Sequence, residues 1–156
     1  MTRKPYVAVV GAARATSEEL ALASAVGRLI AEAGAVLVCG GLGGVMDAAA
    51  AASEEAGGLS IGILPGEDRL TASRHLTVAV ATGMGEARNA IVARTADVLI
   101  AVGGEYGTLS EIAFALKMGK PVVGLSTWDL ARESLGDPIV RAETPVEAVT
   151  KALGLI

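Results

Sequence analysis

Apolar positions along the chain fall into two kinds of run that alternate almost without exception. Short, near-continuous ones occupy residues 6–10, 36–39, 59–64, 76–80, 97–102 and 121–125, each bounded by Gly, Pro or charged residues. Between them lie longer segments, 17–33, 45–56, 87–94, 109–118 and 145–153, in which apolar residues recur at helical spacing. The first kind predicts strands and the second helices. Strands that read as unbroken apolar runs are those covered on both faces, and strands separated by helices pair in parallel. The pattern therefore predicts an α/β fold: one domain over residues 1–156, with a doubly wound, mostly parallel sheet and helices on both faces. The segments 65–75 and 126–138 are the longest without a period and belong at the surface.

Composition narrows the class. Of 156 residues, 52% are hydrophobic, yet there is one Phe, one Trp and two Tyr, so the core is built from small aliphatic side chains. A formal net charge of −4 with no basic stripe argues against a nucleic-acid partner. The single cysteine, Cys39, allows no intrachain disulfide and no Cys-based zinc cluster, which points to a reducing, cytoplasmic setting. His75 is the sole histidine, and no metal site is expected. The basic start MTRKPYVAVV is patterned as a strand and not as a leader, and no apolar run approaches the ~18 residues of a membrane span.

In a sheet of this kind ligands bind beyond the carboxyl ends of the strands, so the turns entering the helices are the ones to inspect. They are 11–17, 40–44, 82–86 and 103–108. Each precedes a helix whose first turn offers unpaired N–H groups and a partial positive charge, a setting suited to phosphate or carboxylate. The candidate ligand-binding residues are Gly11 and Arg14 in the first turn, Gly40, Gly41, Gly43 and Gly44 in the second, Met84 in the third, and Gly103, Gly104, Tyr106, Gly107, Thr108 and Leu109 in the fourth. The spacing of GGLGG is not G-x-G-x-x-G, and no G-x-x-x-x-G-K-[ST] occurs, so neither a dinucleotide nor P-loop hydrolysis is indicated. Thr108-Leu109-Ser110-Glu111 also reads as a capping box that starts a helix, as does Thr16 to Glu19. Glycines at tight strand-to-helix turns are, likewise, common for packing alone.

Two blocks, GGLGGVMDAAA at 40–50 and GEARNAIVARTADVLIAVGGEYGTLSE at 85–111, resemble the LOG or "lysine decarboxylase-like" family of Rossmann-type proteins. The family's marker is P-G-G-x-G-T-x-x-E, preceded by an Arg-Lys pair on the helix before. Gly104, Tyr106, Gly107, Thr108, Leu109 and Glu111 match, and Arg88 falls on the catalytic arginine. Gly103 replaces the proline, Glu105 the second glycine and Asn89 the lysine, departures that are more similar to the branch that includes molybdenum cofactor carrier proteins. The resemblance implies a Rossmann-like nucleotide-binding domain with a phosphorylated small-molecule ligand, either a nucleotide or a molybdopterin-type compound, no required cofactor, and a homodimer or higher homo-oligomer. The Ala-rich helix at 45–56 is a candidate face for that assembly, and Trp128 a residue that covers a partner subunit.

Three functions follow. The first is ligand binding without turnover. The second is a phosphoribohydrolase that cleaves a nucleoside 5′-monophosphate, with Arg88 and Glu111 catalytic. The third is an interaction module whose glycines only pack. For the second, Arg88 and the helix dipole would hold Glu111 ionised in the first turn, ready to stabilise an oxocarbenium-like sugar, while Thr108 and the amides of Gly107 and Leu109 grip the phosphate. No lysine stands at a glycine-rich turn to hold PLP, which excludes decarboxylation of that type. Glu105 in the loop would repel an anion unless its side chain faces solvent on an ordinary backbone, which is the expected arrangement.

Overall fold

The computed structural model describes residues 3–156. Seven strands, β1 (Tyr6–Gly11), β2 (Val36–Cys39), β3 (Leu59–Leu64), β4 (Val78–Ala81), β5 (Val98–Val102), β6 (Val122–Leu125) and β7 (Val140–Arg141), form one sheet in the order β4-β3-β2-β1-β5-β6-β7. All of its pairings are parallel. Five helices connect or flank them: α1 (Ser17–Glu32), α2 (Val45–Glu55), α3 (Asn89–Thr95), α4 (Tyr106–Lys117) and α5 (Pro145–Gly154). This is the expected doubly wound, Rossmann-like α/β architecture. Among the described residues, no helix is long and apolar enough to cross a membrane.

The alternation of each strand divides the core in two. Val7 and Val9 of β1, Leu37 and Cys39 of β2, and Val98, Ile100 and Val102 of β5 face α1, α2 and α5. Ala8, Val10, Val38, Leu99 and Ala101 face α3 and α4. Nearly every one of these side chains is inaccessible to water, which is why both parities of each strand are apolar. Small residues set the helix spacing. A Cβ on Gly27 of α1 would lie 2.1 Å from the Ala49 carbonyl oxygen of α2, so the two backbones nearly touch. The apolar side of α2 is thereby spent inside the chain, with Val45, Met46, Ala49, Ala50 and Ala52 buried. The expectation that this helix would cover a second copy is corrected accordingly.

Other expectations also change. The fourth strand begins at Val78 and not at Leu76, since Thr77 is tied to Ser60 through backbone and hydroxyl bonds of 3.0 and 3.1 Å. The 65–75 segment contains a 3-10 turn, Arg69–Thr71, and β7 was not signalled by any period. α4 begins three residues earlier than its apolar pattern suggests, at Tyr106, with extended Glu105 as N-cap and no side-chain cap bond. The capping box expected at Thr108 to Glu111 is therefore not formed. The one at Thr16 is: Glu19 N donates to Thr16 Oγ1 at 3.2 Å, and Thr16 N to Glu19 Oε2 at 2.8 Å.

Candidate functional site

Winding runs from β1 outward to β4, then returns to lay β5 against the other side of β1. Gly11 pairs with Val102 at the ends of these two strands, and the chains leaving them diverge there. Such a switch point opens a crevice. It holds a cavity of about 310 Å³, lined from all four helix-entering turns. Gly11, Ala12 and Ala13 come from the first; Leu42 and Met46 from the second; Glu86, Arg88 and Asn89 from the third; Glu105, Gly107, Thr108 and Glu111 from the fourth.

The β5–α4 turn is shaped by backbone conformation. Gly103 and Gly104 have φ of 54° and 103°, outside the range of ordinary side chains. A Cβ on Gly104 would also lie 2.4 Å from Thr108 Oγ1. After this reversal Glu105 has the ordinary extended backbone expected, with φ −109°, and is exposed, although it also lines the cavity. The first helical bond of α4 runs from Leu109 N to Glu105 O at 3.0 Å. The amides of Tyr106, Gly107 and Thr108 precede it and lack an acceptor within the helix. That of Leu109 is committed, which corrects its expected part in holding a phosphate. Gly107 differs from its neighbours: nothing lies within 4 Å of where its Cβ would be, so packing does not require the glycine.

Arg88 closes the 3-10 turn Gly85–Arg88 and is buried, at 6% exposure. Its guanidinium lies over Gly40, whose Cβ would come within 2.9 Å of Nη1 and 3.0 Å of Nη2. Nη1 donates to Asn89 Oδ1 and stands 3.6 Å from Glu111 Oε1, while Nε has no partner. Glu111, also 6% exposed, sits in the second turn of α4, beyond the strongest part of the helix field. Burial pushes its carboxyl up to about 8, with Arg88 pulling down and Glu86 adding to the rise. The expectation that Arg88 and the dipole keep Glu111 ionised is thus reversed, because loss of water outweighs both. Cys39, behind the site and buried, is pushed up to about 12 by the same cause.

Of the candidate residues, Gly11, Arg88, Gly107, Thr108 and Glu111 come together at the cavity. Gly40, Gly41, Gly43, Gly44, Gly103, Gly104 and Leu109 do not line it, and Arg14, Met84 and Tyr106 are exposed outside it. The GGLGG turn docks protein on protein: Val45 N donates to Ala12 O at 3.1 Å, and a Cβ on Gly44 would lie 2.2 Å from that oxygen. Tyr106 stacks on Trp128 with ring centres 5.7 Å apart, and Trp128 Nε1 donates to Glu105 O at 3.2 Å. Trp128 thus has a partner within its own chain. Ala12, Ala13, Leu42 and Met46 were not anticipated; they are apolar positions indistinguishable in sequence from core. Asn89 was visible only as a departure from the family marker.

A family model described as the SLOG cluster4 family matches residues 4–150. An uncharacterized protein of Archaeoglobus fulgidus is 45% identical over 148 residues, spanning 92% of this chain and 91% of its own. Among solved structures, the molybdenum cofactor binding protein from the phototrophic bacterium Rippkaea orientalis is 38% identical, with a TM-score of 0.90 over 99% of this chain and 98% of that one. The Moco carrier protein from Chlamydomonas reinhardtii is 38% identical, with a TM-score of 0.88 over 98% of each chain. A family match over nearly the whole length, joined to this agreement in fold, leads to one conclusion: the chain belongs to the SLOG cluster4 family.

Proposed function

We propose that this protein binds a phosphorylated small molecule of molybdopterin type and holds it without turnover. The observation that carries the reading is Arg88. A buried guanidinium paired at 3.6 Å with the carboxyl of Glu111, which burial keeps protonated below pH about 8, is short of a counter-charge. A phosphate would supply one, bridging Arg88 and the free amides of Gly107 and Thr108. Leu42 and Met46 offer an apolar wall for the ring system. The cavity volume is at the lower end of the ~300–1,000 Å³ usual for small-ligand sites, so the ligand would pass the rim toward Tyr106, Met84 and Arg14. Two similar structures, named for binding or carrying the molybdenum cofactor, support the same class of ligand.

Hydrolysis of a nucleoside 5′-monophosphate is the weaker reading, since it asks of Glu111 a charge that burial opposes. Two measurements test the choice. Mass spectrometry of freshly purified, denatured protein should release a phosphorylated pterin, accompanied by molybdenum. Incubation with AMP should release no adenine, and release that disappears in Glu111→Ala would reverse the assignment. If nothing co-purifies and neither phosphate nor AMP raises the melting temperature at millimolar concentration, the anion site itself is refuted. A homo-oligomer in the cytoplasm remains the expected setting. With α2 used internally, its contact face would be the uncovered side of β3 and β4, where Leu59, Val78 and Val80 are exposed; a monomer by light scattering would count against it.

A further inference from the structure

Asn89 is 3% exposed and lines the cavity beside Arg88, at the position where the LOG-type marker has a lysine. Its amide could in principle be turned either way, and the surrounding bonds decide which. Ser110 Oγ donates its only proton to the Gly107 carbonyl, at 2.6 Å. The hydroxyl can then only accept from Asn89, and it does so from Nδ2 at 2.9 Å. That leaves Oδ1 directed at Arg88 Nη1, from which it accepts. A chain of three hydrogen bonds thus runs from the backbone of the α4 first turn, through Ser110 and Asn89, to the guanidinium. The terminal acceptor is neutral. A carboxylate in its place would neutralise Arg88, and a lysine would repel it and offer no acceptor.

We infer that Asn89 is a positioning residue, which with Ser110 fixes the Arg88 guanidinium toward the cavity while leaving its charge free for the ligand's anionic group. The inference rests on the reading of the cavity as an anion site. It adds that the α4 turn whose amides would meet the anion also orients the arginine that meets it. Ser110 does not line the cavity and reaches it by two routes, through Asn89 and through the Gly107 carbonyl, so the Asn89 variant is the one that isolates the positioning of Arg88.

The test uses AMP and inorganic phosphate as probes, followed by titration calorimetry and by the fluorescence of Trp128, the sole tryptophan, which is bonded to the residue capping α4. Melting temperatures are recorded alongside. Ser110→Ala should weaken AMP binding about fivefold, the equivalent of one ordinary hydrogen bond, and Ser110→Thr, which keeps the hydroxyl, should restore it. Asn89→Asp should weaken it roughly tenfold or more at unchanged fold, because its carboxylate competes for Arg88. Binding by Ser110→Ala equal to that of the native protein, failure of Ser110→Thr to restore it, or native affinity in Asn89→Asp would each overturn the inference. Arg88→Met separates the two levels. If it binds as the native protein does, the anion reading fails and takes this one with it; if it loses binding while the Ser110 and Asn89 variants keep it, only the positioning role fails.

Discussion

Arg88 and Glu111 are close enough to pair and too far apart to hydrogen-bond, and the outcome of that contest is set by water. With its carboxyl raised to about 8 from an ordinary 4.5, the folded protein holds a proton at Glu111 that the unfolded chain has lost. More protons bound to the folded state means stability that is present below pH about 4.5 and falls as pH rises toward about 8. Glu111→Gln removes this titration. It should match the native protein near pH 5 and exceed it by several kcal/mol above pH 8, read as melting temperature against pH. The native affinity for phosphate should fall across the same upper limit, as an ionised Glu111 takes over Arg88; a flat profile would show that the two groups do not compete. None of this was legible in sequence. The marker motif located Arg88 and Glu111, but the protonation of Glu111 depends on how many other side chains exclude water from it.

At the scale of the element, the β5–α4 turn separates two kinds of glycine. Gly104 is held at positive φ against Thr108, and Gly107 occupies an ordinary helical position with open space before it. Gly104→Ala should cost about 1–3 kcal/mol in urea unfolding, from backbone strain and the collision with Thr108. Gly107→Ala should leave stability unchanged or raise it by up to about 1 kcal/mol, since alanine favours the helix, yet should weaken AMP binding by placing a methyl group in the cavity. Equal stability losses in the two variants would show that Gly107 is structural after all. Sequence identified the glycines and could not sort them. It also placed the start of α4 at the apolar period near Leu109, whereas the helix is entered through Tyr106 and Gly107, where amides are unpaired in any case and the Tyr106 ring lies on Trp128. β7 was missed because two residues carry no period.

Over the whole molecule, the tightest fit is between α1 and α2. Gly27→Ala puts a methyl group where the Ala49 carbonyl oxygen stands 2.1 Å away, and the helices must part to admit it. A loss of roughly 1–3 kcal/mol is expected, with one cooperative transition retained in fluorescence and circular dichroism. Two separate transitions would contradict a single folding unit. The alternation of apolar runs was sufficient to predict every strand but β7, the helices, a parallel sheet and the end of it at which the cavity opens, because burial on both faces forces strand residues to be apolar and parallel pairing forces every helix-entering turn to one edge. Strand order, and with it the meeting of four distant turns at one cavity, came from packing alone, since no local pattern records that β5 returns to lie against β1. The charge on Glu111, the orientation of Asn89 and the free space before Gly107 belong to that second kind of information: each is a property of neighbours that are remote in the chain and adjacent only once it is folded.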